Sequence, residues 1–316
     1  MISVVIPAYR PRRDEIVRAL GGLLSQSADR SIAEILLVDN NSPAGWYEAG
    51  VFPQDPRFRF VVETTPGLTP NRLRGFREAA SANRWVLLVD QDNVLAPDYV
   101  EAALRVAEAH PFLGAIGGEI VPEYETSAPP FAARAPSVLS LRKVAAARWS
   151  NDPDHGDSTP WGAGMFLRRE VVDAYAAKVA GDFRRAFLDH RGADLLFGAD
   201  NDLANSALEI GLGKGVFPEL RLTHLIPASR CTWDYYSRSI EGRILSAHVK
   251  DFLDTGKLPG RPCPRELLRI VMRLLSPDPL VRIGARAGLR GRRRARRLLA
   301  SPGLLAPGAG TVGGKP

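Results

Sequence analysis

Short apolar runs punctuate the first third of the chain, and each stops abruptly at polar residues. Ile2–Ile6 is closed by Pro7, Ile35–Val38 by Asp39-Asn40-Asn41-Ser42, and Trp85–Val89 by Asp90-Gln91-Asp92-Asn93, with a looser run at Phe58–Val62. Runs this short read as strands buried on both faces rather than as helices. Between them the apolar spacing lengthens to three and four residues. Arg13–Ser25, with Ile16, Val17, Leu20 and Leu23, reads as a helix, as does Asp98–Ala109. A third helix is expected over Thr69–Asn83, with Thr69 as N-cap and Pro70 at the first position. The alternation predicts an α/β fold: a parallel sheet flanked by helices on both faces. In such sheets ligands bind at the carboxyl ends of the strands. Three of those ends carry polar clusters: Pro7-Ala8-Tyr9, Asp39 to Ser42, and Asp90 to Asn93.

Further along the pattern is mixed. Ala115–Val121 reads as a strand. Pro122–Pro160 is polar and proline-containing, with a helix expected over Ser137–Arg148 and a loop over Ser150–Thr159. Gly162–Arg168 is a glycine turn leading into a strand, and Asp200–Leu212 a helix. After Pro227 the chain reads as helical: Thr232–Asp254, Arg265–Leu275 and Leu280–Leu299. This suggests an α/β domain over residues 1–230 and a helical region over 231–300. The glycine- and proline-rich tail, 301–316, is expected to be disordered.

Composition narrows the class. A chain of 316 residues, 45% hydrophobic, can bury a large core without disulfides or structural metal. Its two cysteines, Cys231 and Cys263, supply no zinc spacing and no disulfide framework, which fits a reducing compartment. The N-terminal apolar run is too short for a signal peptide and lacks a basic start. No apolar stretch reaches the length of a membrane span, so a cytoplasmic site is expected. The net charge of +7 is uneven: Arg286–Arg297 holds seven arginines and no acid. Together with Leu267-Leu268, Ile270-Val271 and Leu274-Leu275, the basic stretch reads in two ways. It is an interfacial helix on anionic lipid at the inner face of the membrane, or a helix packed on the main domain with a solvated basic face. Nucleic acid is not an expected partner, because no aromatic stacking platform accompanies the arginines.

Asp90 and Asp92 follow a fully apolar strand with one residue between them. Two hard oxygen ligands at an exposed strand tip suit Mg²⁺ or Mn²⁺, which complete their shells with substrate phosphates and water. Read alone, an Asp-x-Asp pair equally serves turns and helix caps. His224 is a candidate third ligand, and Arg230 and Arg238 lie downstream as candidate diphosphate contacts or ordinary surface residues. Trp161 either stacks on a sugar or packs in the core.

The ordered set resembles the family 2 glycosyltransferases of the GT-A fold. It comprises Val4-Val5-Ile6-Pro7-Ala8-Tyr9, Leu37-Val38-Asp39, Gly67-Leu68 with Arg72 and Gly75, Leu88-Val89-Asp90-Gln91-Asp92, Gly162-Ala163-Gly164-Met165, and Gly198-Ala199-Asp200-Asn201-Asp202-Leu203. The resemblance runs over about residues 2–230. It implies an inverting, hexosyltransferase-type enzyme that uses a nucleotide-sugar donor, a saccharide or lipid-linked acceptor and a divalent cation, in cell-envelope polysaccharide or glycolipid assembly. By the same resemblance Pro7, Ala8, Tyr9 and Asp39 hold the nucleotide. Arg72 lies near the donor phosphates and Asp90 near the ribose or sugar. Asp92 ligates the metal, with His224 beside it. Trp161, Gly162, Ala163 and Gly164 shape the sugar and acceptor pocket, and Asp200 is the general base. A carboxylate at a helix N-terminus is held ionised, as a base must be; its bland reading is a helix cap. The chain departs from the family pattern at Ala199, where Glu is usual, at Leu73, where Asn is usual, and at Asn40 and Asn41, where the pattern is acidic then Gly. The alternatives are a sugar-nucleotide nucleotidyltransferase, against which the loop Pro7-Ala8-Tyr9-Arg10-Pro11 argues, and an inactive binding scaffold.

Overall fold

The computed structural model describes residues 1–43, 47, 52–188, 195–260 and 262–300; the expected disordered tail lies outside them. The apolar runs form parallel strands: β1 (Ile2–Ala8), β2 (Ile32–Asp39), β3 (Phe58–Val62) and β4 (Trp85–Leu88), ordered β3-β2-β1-β4. Successive side chains point to opposite faces of a strand, so each run feeds two cores. Val4, Ile6, Leu37 and Leu87 pack with α1 (Arg13–Leu24) and α3 (Tyr99–Ala109). Val5, Leu36, Val38 and Leu88 pack under α2 (Leu68–Glu78), α4 (Arg169–Gly181) and α5 (Ala199–Glu209).

The sheet continues through β8 (Phe166–Arg168), β6 (Leu113–Tyr124), β9 (Gly213–Ile226) and β5 (Asn93–Leu95), with β7 (Arg148–Ser150) on β9. Here the parallel expectation needs correction. β8 runs antiparallel between β4 and β6, and β5 runs antiparallel to β9, so the nine-stranded sheet is mixed.

Other boundaries also differ. α2 ends at Glu78, and its N-cap is Gly67 at φ 130° rather than Thr69, whose position lies inside the first turn. A left-handed φ favours glycine there. No α-helix forms over Ser137–Arg148; only its first residues are helical, in a four-residue 3-10 turn. That turn, Pro136–Leu139, ends at Ser140 with φ 54°, and the backbone of Arg142 then pairs with Ile120 of β6. α4, not among the expected helices, buries Val171, Val172, Tyr175 and Val179 at helical spacing.

The C-terminal helices are α6 (Trp233–Thr255), α7 (Pro264–Leu274) and α8 (Pro279–Ala300). Thr232 caps α6 by accepting from the Tyr235 backbone N–H at 3.2 Å. α6 lies so close to the sheet domain that a Cβ on Gly242 would overlap the Leu195 carbonyl oxygen. α8 packs on α6 through Ala287, Gly291, Ala295 and Leu299, while Arg290 and Arg294 pair with Glu241. α7 buries no residue. No helix among the described residues is long and apolar enough to cross a membrane.

Candidate active site

The polar clusters meet where β1, β2 and β4 end. The backbone N–H of Tyr9 donates to Gln91 Oε1 at 2.8 Å, and that of Arg10 donates to Ser42 Oγ at 2.9 Å. These bonds tie the three strand tips together. Pro7 and Ala8 are buried at the end of β1, and the Ala8 carbonyl accepts from the Asn40 N–H at 2.8 Å. Tyr9 emerges with about half its surface exposed and Arg10 beside its ring. Asp39 is buried; its Oδ1 accepts from Tyr47 and from Ser42 Oγ, and its Oδ2 from the Ser42 N–H. It thus organises the loop that follows β2.

Asn40 explains one departure from the family pattern. Its amide donates to the Glu63 and Thr65 carbonyls at 3.2 and 2.8 Å, while its Oδ1 accepts from the Gly67 N–H at 2.8 Å. A carboxylate could not make the first two bonds. They fix the entry to α2, and Gly75 lets α2 lie on β1, where a Cβ would sit 2.3 Å from Val5 Cγ1. The other departures are packing choices. Leu73, on α2, packs against the apolar cluster of Val5, Val38 and Phe76, and Ala199 is buried in an apolar cluster with Leu188, Leu245 and Val249, where a Glu would be stranded.

α2 delivers Arg72 between the carboxylates of Asp90 and Asp200. Its guanidinium is almost fully buried; Nη1 lies 2.5 Å from Asp200 Oδ1, and Nη2 lies 3.8 Å from Asp90 Oδ1. Asp200 sits in the first turn of α5, whose N-cap is Gly198, so its side chain reaches across to Arg72 instead of capping its own helix. Asp90 and Asp200 each keep about a third of their side-chain surface open. Loss of water around Asp90 pushes its carboxyl up to about 6; Arg72 opposes the shift, and Asp92 and Asp200 add to it. Gly162 touches the same pair: a Cβ there would fall 2.3 Å from Arg72 Nη2 and 2.7 Å from Asp200 Oδ1. The glycine turn is held by Tyr99, whose hydroxyl donates to the Gly164 carbonyl at 2.5 Å, and Gly164 adopts φ 72°. Ala163 is buried. Trp161 is half-buried, with the Arg142 guanidinium 4.0 Å from its ring centroid, so one ring face is already occupied by a cation.

Asp92 faces a different pair. The Leu225 N–H donates to the Asp92 carbonyl at 2.9 Å, drawing the β4 tip onto β9, where His224 pairs with Asn93. His224 therefore lies inside the last strand. Its Nε2 is 3.4 Å from Asp92 Oδ2, and Arg230 Nη1 is 3.3 Å from the same oxygen. The partners fix one ring proton. The Leu139 carbonyl, 3.0 Å from Nδ1, can only accept, so Nδ1 carries a hydrogen. Nε2 lies between the Arg230 guanidinium, 3.0 Å away, and the Asp92 carboxylate. Burial works to raise the Asp92 carboxyl, but the facing His224 and Arg230 hold it well below the usual carboxylate range.

Two of these groups, the Asp92 carboxylate and the His224 imidazole, are donor types that bind divalent cations. Asp92 oxygen and His224 Nε2 converge on one point, where the Arg230 guanidinium now supplies the positive charge. Among the described residues no group of three or more metal-binding side chains gathers. The protein would give two ligands, leaving the rest to phosphate and water. Arg238 lies elsewhere, exposed beside Asp234 on α6. Arg230 is the contributor that sequence reading left as one surface candidate among several, and Gln91 and Tyr47 were not singled out at all.

The family model for glycosyl transferase family 2 matches residues 3–175, from β1 through most of α4. This chain belongs to that family. The family 2 match contains Asp39, Arg72, Asp90, Asp92 and Gly162, and stops before Asp200, His224 and Arg230. The mixed sheet with helices on both faces agrees with the GT-A fold of family 2. The chain is also similar to a protein named as an uncharacterized glycosyltransferase of Haemophilus influenzae, 32% identical over 114 residues. That alignment covers 35% of this chain and spans only 36% of the relative's length.

Proposed function

We propose that the chain transfers a sugar from a nucleotide-sugar donor to a hydroxyl of a saccharide or lipid-linked acceptor, with inversion at the anomeric carbon. The observation that carries this reading is the line Asp200–Arg72–Asp90 across one cleft, with Asp92 and His224 held apart from it. An inverting displacement needs a base on one side of the sugar and charge stabilisation on the other. Asp200 takes the acceptor proton. The freed oxygen bonds to the anomeric carbon as the bond to the diphosphate breaks, and the leaving nucleoside diphosphate carries away the electron pair. The tips of β1 and β2, with Tyr9 at the mouth and the Asp39-anchored loop behind, receive the nucleotide. Asp90 orients the donor ribose or sugar, and Arg72 faces the phosphates. Asp92 and His224 would hold a Mg²⁺ or Mn²⁺ ion, which would supply charge neutralisation for the leaving diphosphate. The acceptor enters beside the glycine turn, where Gly162 gives room against Asp200. This chemistry belongs to assembly of cell-envelope polysaccharide or glycolipid on the cytoplasmic side of the membrane.

The test is a thermal-shift screen of nucleoside diphosphates with and without Mn²⁺, followed by product analysis with the matching nucleotide-sugar. Stabilisation that needs both nucleotide and metal, and release of nucleoside diphosphate, are expected. Release of pyrophosphate would assign nucleotidyl transfer instead. Neither binding nor turnover across the common donors would make the protein a scaffold.

A further inference from the structure

A stripe of exposed apolar side chains lies on α7 and its C-cap, far along the chain from Arg72 and Asp90. Leu268, Met272 and Leu275 are 63%, 65% and 78% exposed, and Leu267 and Val271 are about half exposed. At 100° per residue these five side chains fall within one arc of the helix. Continuing round the helix from the Met272 edge, α7 carries Arg265, Arg269 and Arg273, all exposed. Ile270 and Leu274, between the two, are half-buried where α7 meets α8. A helix with no buried residue and a solvent-facing stripe of five large apolar side chains gains nothing from folding that way alone; the stripe fits a partner.

The charge around the stripe says which partner. Between Lys257 and Arg297 the chain has thirteen basic residues and two acids, Glu266 and Asp278. Asp278 is already paired with Arg134. On α8 the apolar side is consumed by α6, which leaves Arg286, Arg293 and Arg296 exposed. An apolar arc edged by arginines, beside a second basic helix, matches a surface that is oily below and anionic above. We propose that α7 docks on an anionic lipid bilayer, with Leu267, Leu268, Val271, Met272 and Leu275 in the acyl boundary. The arginines of α7 and α8 then lie against the headgroups. Only α7 inserts, because α8 has no apolar face left to offer. The inference stands independently of the reaction in the cleft.

The experiment is flotation of the full chain with vesicles of phosphatidylcholine alone or mixed equally with phosphatidylglycerol. The protein is expected to float with the mixed vesicles, to lose binding as salt rises, and to bind pure phosphatidylcholine far more weakly. L268S with M272S lowers partition on the order of 30-fold by removing two half-embedded side chains. R265Q with R269Q and R273Q lowers it about 100-fold at roughly one headgroup interaction per arginine. Both variants alter exposed residues, so their melting temperatures stay at the parent value. A parent chain that stays unbound with mixed vesicles would overturn the proposal, as would variants that float equally well. A chain that sediments as a dimer, falls apart on L268S with M272S and ignores vesicles would give the stripe to a second copy instead.

Discussion

Gly162→Ala tests the centre of the cleft with a single methyl group. The added carbon would lie 2.3 Å from Arg72 Nη2 and 2.7 Å from Asp200 Oδ1. Ordinary contact begins near 3.5 Å, so the guanidinium must retreat by about 1 Å and the carboxylate by somewhat less. Both groups are side-chain ends, so the backbone need not break; Arg72 is nevertheless buried and has little free space to enter. Overpacking of this kind costs about 1–3 kcal/mol of stability, and the low end applies because side-chain ends can shift. Catalysis is more sensitive, since a misplacement of about 1 Å in a reacting constellation is worth on the order of 100-fold in rate. The assay is nucleoside diphosphate release under saturating donor, alongside thermal melting and donor affinity. The expected result is kcat down on the order of 100-fold, with melting lowered by a few degrees at most. A variant with parental kcat would refute the claim that the Arg72–Asp200 pair is in the reacting geometry. A variant that fails to fold would refute the claim that the strain stays local.

Three further outcomes follow from the geometry. Asp200→Asn removes the proposed base and should lower transfer on the order of 100- to 10,000-fold. Donor binding by calorimetry should be retained, and near-normal turnover would reject the assignment. Arg230→Gln removes the cation that faces Asp92 and His224. Mn²⁺ binding followed by electron paramagnetic resonance should tighten while nucleoside diphosphate binding weakens; unchanged Mn²⁺ affinity would show that the guanidinium does not compete for that point. Asp55 is held down to about 2, chiefly by hydrogen bonds from the Arg57 side chain. A carboxyl lowered by folding contributes stability that is present above its ordinary value of 3.8 and lost as pH falls toward 2. Asp55→Asn should therefore lose about 1 kcal/mol at neutral pH, after allowing for solvent screening. Its denaturation midpoint should converge with the parent's near pH 2; a constant gap across that range would contradict the linkage.

The residues show which parts of this were legible beforehand. β1, β2 and β4 could be read because each is a short apolar run buried on both faces and ended by polar residues, whereas β3 is an edge strand with Phe60 and Val62 exposed. Asp39, Asp90 and Asp92 were legible for the same reason: they stand where those runs stop. The later half was harder because its partners are remote in sequence. β8 has only three residues, and its antiparallel direction is fixed by Met165 and Leu167 meeting β4 about eighty residues away. The expected helix over Ser137–Arg148 failed because Arg142 finds a strand partner in Ile120, a tertiary bond that no local propensity contains. Arg230 could not be told from other arginines, since only the turn after Pro227 brings it back to Asp92. Asn40 looked like a lost acid and is instead a donor that two carbonyls require.

Arg72 is a shared counter-ion, and that sets an order of events. While it pairs with Asp200, the carboxylate is a poor proton acceptor, because a neighbouring cation favours the ionised form. On the proposed mechanism an arriving diphosphate would compete for the same guanidinium, and each increment of charge it drew away would return basicity to Asp200. The donor would thereby arm the base, and water admitted beforehand would meet a carboxylate too weak to activate it. Such a site would begin transfer only with the nucleotide-sugar in place.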